Sequence, residues 1–375
     1  MSRKLIPIST IMTLMSTSVM ADVPNVAADI APIHSLVSKV MDGVGEPKLV
    51  IQSGASPHGY RLRPSEAKAL QDANLIFWMG EELTPWLDGA IDTLASNASV
   101  TSLLDQEGVV LHEFREGALF EAHDHSAHDD HDDHKDHDEH DDHDDHDDHD
   151  DHDDHDDHDD HDDHKDHDDH DDHDDHDDHD DHKDHDDHDD HDDHKDHDDH
   201  DDHGHGAHDP HAWLSPENAK LWLNIIASKL SVADPENAAS YFTNAAAGQA
   251  EIEDMVAEVS ATLKPVQGGK FVVFHDAYQY FENDFDFYAS GAISLGDASD
   301  PSPARIAEIQ RRIQEEGIQC VLAEPQYKKG LVATVMEGSN ATASVIDPLG
   351  ADIKPGPKLY TQLIKNMAKT LRDCL

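Results

Sequence analysis

The chain has 375 residues and a formal net charge of -58, from 26 Lys and Arg against 84 Asp and Glu, with 35 histidines and two cysteines. This acidic balance, with no basic patch and no Lys/Arg stretch interleaved with aromatics, leaves nothing to neutralise phosphates and excludes nucleic acid as a partner. The imbalance is concentrated: residues 123 to 208 hold 30 of the histidines, 46 aspartates, one glutamate and four lysines, and so carry -43 of the charge.

In chain order, Arg3 and Lys4 precede an apolar stretch from Leu5 to Met20, broken by Pro7 and closed by Val19-Met20-Ala21. That pattern predicts a secretory signal over residues 1–21, cleaved after Ala21. The stretch is short and interrupted by Ser and Thr, so no membrane span is expected after its removal. No cysteine stands at the cleavage point. A soluble monomer in an exported, oxidising compartment is therefore expected.

Residues 22–233 read as a first α/β lobe. Short apolar runs at 25–29, 48–52, 74–79 and 100–104 alternate with helical patterns at 32–43, 64–72 and 84–96. Strands separated by single helices predict crossovers and a mainly parallel sheet. Pro32, Pro64 and Pro216 stand where a first helical turn tolerates proline.

Within this lobe, 123–208 is expected to form a disordered loop, because a segment without apolar bulk cannot offset its ordering entropy. A mere solvating linker needs only charge and does not explain histidine at nearly every third position. Imidazole and carboxylate together form an inventory of ligands for borderline divalent metals, zinc first. The implied sites are many, interchangeable and individually modest. A selective site must lie elsewhere.

Residues 234–265 are helical with no internal breaker except Gly248, and predict a long connecting helix. Residues 266–375 form a second α/β lobe, with strands at 270–274, 318–323 and 343–346 and helices at 302–316, 328–337 and 358–374. Export makes a disulfide between Cys320 and Cys374 the expected state of the two thiols.

Four candidate ligands follow apolar strands or precede a helix: His58, His211, His275 and Asp347. In open α/β sheets ligands bind outside the carboxyl ends of the strands. Three imidazoles and one carboxylate complete a tetrahedral zinc shell with a residual charge of about +1. His34 and His112, by contrast, read as structural.

The segments Gly54-Ala-Ser-Pro-His58 with Arg63-Pro-Ser, Asp209-Pro-His-Ala-Trp-Leu-Ser-Pro216, Phe274-His-Asp-Ala-Tyr278, Ala323-Glu-Pro-Gln326 and Val345-Ile-Asp-Pro-Leu-Gly350 resemble the zinc-binding ZnuA-type members of the metal substrate-binding proteins of ABC transporters. The resemblance implies two (β/α) lobes joined by a long backbone helix, with the metal held by His58, His211, His275 and Asp347. It also implies a periplasmic receptor that delivers Zn2+, its transported ligand, to a permease and its ATPase. Manganese-selective relatives typically carry glutamate where His275 stands. Pro57 replaces a glutamate found before the first histidine in some zinc members. Two other readings are weighed against this one. A zinc hydrolase would keep one coordination position open for water, and no His-Glu-x-x-His helix is present. A pure metal buffer or storage protein would need only the tract, and not two well-formed lobes.

Overall fold

A computed structural model describes residues 23–115, 120, 208–294, 301–327 and 329–375. The expected signal segment and all of the tract except His208 lie outside the described residues.

The first sheet contains β1 (Val26–Ala28), β2 (Lys48–Leu49), β3 (Leu75–Trp78) and β4 (Ser99–Ser102). All pairings are parallel, in the order β2-β1-β3-β4. Helices α1 (Ala31–Val40), α2 (Pro64–Gln71) and α3 (Pro85–Leu94) connect the strands. Next come α4 (Pro216–Ala233) and α5 (Ala238–Leu263). The second sheet contains β5 (Phe271–His275), β6 (Ala292–Ser294), β7 (Cys320–Ala323) and β8 (Thr342–Val345), again parallel, in the order β6-β5-β7-β8. Its helices are α6 (Gln279–Phe285), α7 (Pro303–Glu316) and α8 (Lys329–Val335), and α9 (Leu359–Cys374) closes the chain. The two sheets thus share one topology, with a switch point between β1 and β3 in the first and between β5 and β7 in the second.

Proline fixes several helix starts: α1, α2, α3, α4 and α7 each carry one in the first two positions, where the missing N–H has no intrahelical acceptor to lose. Ser215 and Ser302 cap α4 and α7 by accepting from Asn218 N and Arg305 N.

Three details differ from the sequence expectation. The helix expected over 234–265 begins later. Asp234 caps α4, a 3-10 turn occupies Pro235–Asn237, and α5 starts at Ala238, because Pro235 cannot extend the preceding helix. The strand expected at 48–52 is regular for two residues, although the Val50 and Ile51 amides still donate to Ala28 O and Asp29 O. Helix α6 and strand β6 were not expected; both are short, and their sequence lacks a clear period.

One apolar core is continuous across both sheets. It gathers Ala28, Phe77 and Leu83 from the first lobe, Phe271, Val273 and Leu322 from the second, and Trp222, Met255, Ile364 and Leu371 from the helices between. Helix α5 packs on α1, α4 and α9 at once. At Gly248 an added Cβ would lie 2.9 Å from a Leu223 methyl and 3.1 Å from Lys39 Cγ, so glycine permits this close crossing. A smaller core under α7 and α8 is built on Ile293, Ile309 and Val335.

Cys320 and Cys374 are disulfide-bonded, fastening the end of α9 to β7 across 54 residues of sequence. Replacing both with alanine should lower unfolding free energy by about 4 kcal/mol, the chain-entropy value for a loop of this length. Denaturant titration reads this directly, and an unchanged midpoint would contradict it.

Candidate metal site

Each candidate histidine is placed by a different element. His58 lies on the loop after β2. Its neighbour Pro57 accepts a hydrogen bond from Trp86 Nε1 on α3 at 2.7 Å. Tyr60 packs its ring on Trp86 and donates to Glu66, which also caps the Arg63 amide at the start of α2. The loop is therefore fastened at both ends of the ligand. His211 precedes the 3-10 turn Ala212–Leu214, and Asp209 Oδ1 accepts from its backbone amide at 2.9 Å in a local turn. His275 is the last residue of β5, beside Ser294 of β6.

The structure brings these three together. Their ligand atoms all lie within 4.8 Å of one another. The ring centroids of His58 and His211 are 5.5 Å apart, those of His211 and His275 5.2 Å, and those of His58 and His275 6.4 Å. His211 and His275 are buried, and His58 is half-buried. The cluster sits where the carboxyl ends of the second sheet face the His58 loop of the first, at the meeting of the lobes.

Ring orientation gives this cluster its chemistry. Asp209 Oδ1 lies 2.6 Å from His211 Nδ1, and Glu324 Oε1 lies 2.6 Å from His275 Nδ1. A carboxylate on Nδ1 holds the proton there and turns the Nε2 lone pair the other way. The two Nε2 atoms consequently face each other at 3.4 Å. Tetrahedral zinc with Zn–N bonds of 2.0–2.1 Å would place two ligand nitrogens about 3.3 Å apart. Two lone pairs at such a distance repel unless a cation or a proton lies between them. The cavity lined by His58, His211, His275, Trp213, Tyr327 and Pro348 has a volume of about 10 Å³. That is room for one ion or water, far below the several hundred Å³ of an organic-ligand pocket.

Asp347 is placed differently. It follows β8, but among the described residues it does not join the cluster of three. Its carboxylate accepts from the backbone amides of Leu349, Gly350 and Ala351 at 3.0, 2.9 and 2.6 Å. The next two residues, Pro348 and Leu349, line the histidine cavity, and Pro348 O accepts from Trp213 Nε1 at 2.8 Å. His34 and His112 stand apart from the cluster. His34 bonds Pro47 O and Ser38, and the His112 ring packs tilted against Tyr280, with centroids 4.6 Å apart.

Asp209 and Glu324, the two orienting carboxylates, stand inside motifs visible in the sequence, but their role was not read there. The Asp-Pro-His spacing carried a local signal for Asp209. Glu324 reaches His275 only through the pairing of β5 with β7 and had none.

Two parallel α/β lobes meeting on inward-turned, carboxylate-oriented histidines define a two-lobed binding protein for a single metal ion. The family model described as the zinc-uptake complex component A, periplasmic, matches residues 26–374, and the chain belongs to this ZnuA family. It is 44% identical over 350 residues to the high-affinity zinc uptake system protein ZnuA of Brucella abortus, covering 93% of this chain and 91% of the relative. The corresponding protein of Paracoccus denitrificans is 41% identical over 356 residues, covering 95% and 93%. A crystal structure of ZnuA superposes with a TM-score of 0.64 at 18% identity, covering 94% of this chain and 99% of that one. A ZnuA deletion mutant with zinc bound gives 0.63 at 18% identity over 94% and 98%.

Exchanging either carboxylate for its amide, Asp209→Asn or Glu324→Gln, should weaken metal binding at the cluster roughly 10- to 100-fold while the fold persists. Chelator competition measures it, and unchanged affinity in both variants would show that the carboxylates do not orient the rings.

Proposed function

We propose that this chain is a periplasmic zinc receptor that captures one Zn2+ in the cleft and delivers it to a membrane permease driven by an ATPase. One observation carries the reading: two Nε2 atoms face each other at 3.4 Å while both Nδ1 atoms rest on carboxylates. His58, His211 and His275 supply three neutral nitrogens. Asp347, one residue before the cavity wall, is assigned as the fourth ligand. It would neutralise one of the two charges, and a carboxylate has about four lone-pair sites, of which the three amides use three.

A hydrolase is disfavoured by the cavity, which has no room for a substrate beside the ion. The names of the relatives point the same way. No described helix is long and apolar enough to cross a membrane. The tract supports a second activity, storage of further zinc at many weak imidazole sites, which does not require the lobes. Helix α5 and the shared core resist a wide hinge opening, so release depends on docking to the permease to separate the ligands.

The reading is tested by zinc titration of the full chain beside a variant lacking residues 123–208. Deletion should lower capacity yet leave one tight site, and His275→Ala in the shortened chain should abolish it. Disappearance of the tight site on deletion alone would show that the tract supplies a primary ligand.

A further inference from the structure

The chain on either side of the tract is fastened to the second lobe next to His275. Glu113 and His208 form an antiparallel bridge, and Asp209 N donates to His112 O at 2.8 Å. Tyr280 on α6 grips both strands of this stem: its hydroxyl accepts from His112 N at 3.1 Å and donates to Asp209 O at 2.7 Å. Arg115, at the end of the outgoing strand, reaches across to two acids of the second lobe. Its Nε lies 3.0 Å from each oxygen of Asp276, its Nη2 also bonds Asp276, and its Nη1 lies 2.6 Å from Glu282. The Phe120 ring covers the guanidinium at 3.5 Å.

The three charged side chains are 16%, 8% and 1% exposed. Water therefore screens them little, and the planar fork of arginine matches two carboxylates in a way a single ammonium cannot. Burial pushes Glu282 up to about 7, while Arg115 opposes the shift. Asp276 immediately follows His275, so whatever holds its carboxylate also holds the backbone on which the buried ligand ring stands.

We propose that Arg115 is a positioning residue for the metal site, an interlobe latch that fixes the His275–Asp276 corner against the stem of the tract and thereby slows release of the bound ion. The inference rests on the zinc-receptor reading above. Residues 112–115 and 208–209 thereby become part of what holds the His275–Asp276 corner. The latch touches no metal and acts only through Asp276 and Glu282.

The test follows zinc transfer from the full-length protein to an excess of chelator, with His275→Ala identifying which phase belongs to the cleft. Arg115→Ala should speed that phase roughly tenfold or more, the scale on which outer-shell partners tune metal sites. Arg115→Lys should restore less than half of the loss, because one ammonium cannot bridge both acids. The Co2+ absorption spectrum of the cleft should shift in both variants. Glu282→Gln, a milder change that keeps the shape, should speed release by a smaller factor and serves if Arg115→Ala does not fold. A release rate and Co2+ spectrum equal to the parent would overturn the inference. So would a fall in thermal stability with unchanged release, which marks a purely structural ion cluster. If no phase is lost in His275→Ala, the receptor reading itself fails, independently of Arg115.

Discussion

Asp209 and Glu324 decide what His211 and His275 can do. A neutral imidazole has one donor and one acceptor nitrogen, and a site whose rings could choose would be half donors and useless to a cation. Here each carboxylate holds the Nδ1 proton of its partner at 2.6 Å, and both acceptor nitrogens turn into one small space. The carboxylates also make the rings better electron donors and add negative charge close to the cation. Burial strengthens each of these effects, because the lobes exclude the water that would screen them.

Those pairs depend in turn on how the lobes are joined. Glu324 meets His275 because β5 and β7 are neighbours, each ending at the cleft. Asp209 meets His211 through a local turn, but the turn is anchored on α6 of the other lobe by Tyr280. Trp213 bonds the carbonyl beside Asp347, and α1, α4, α5 and α9 carry one core beneath both sheets. A small displacement of one lobe would therefore disturb all three rings together, a geometry suited to holding an ion until a partner forces the lobes apart.

Much of the fold was legible because its signals are local. Prolines at helix starts, apolar runs and strand–helix alternation placed the strands of the first sheet, three of the four in the second and the long helix α5 to within a few residues. His58, His211 and His275 were legible as residues following strands or preceding a helix. What stayed hidden is long-range. Helix α6 is seven residues long, and its role appears only when Tyr280, Glu282 and Asp284 are seen to hold the stem, Arg115 and Ser215. Arg115 is separated from Asp276 by 161 residues, with no spacing rule to link them. Asp347 shows the limit in the other direction: its place after a strand was legible, whereas the three amides that hold its carboxylate depend on the turn that follows.

The proposed function divides the metal chemistry between the tract and the cleft. Thirty histidines lie in residues 123–208, whereas His58, His211 and His275 converge on one small space. Zinc X-ray absorption on full-length protein loaded with a single equivalent tests that division directly. The account predicts a four-coordinate shell of nitrogen and oxygen at about 2.0 Å with outer-shell scattering from three imidazoles, lost in His275→Ala. A six-coordinate oxygen-rich shell, or a spectrum unchanged by that substitution, would contradict it.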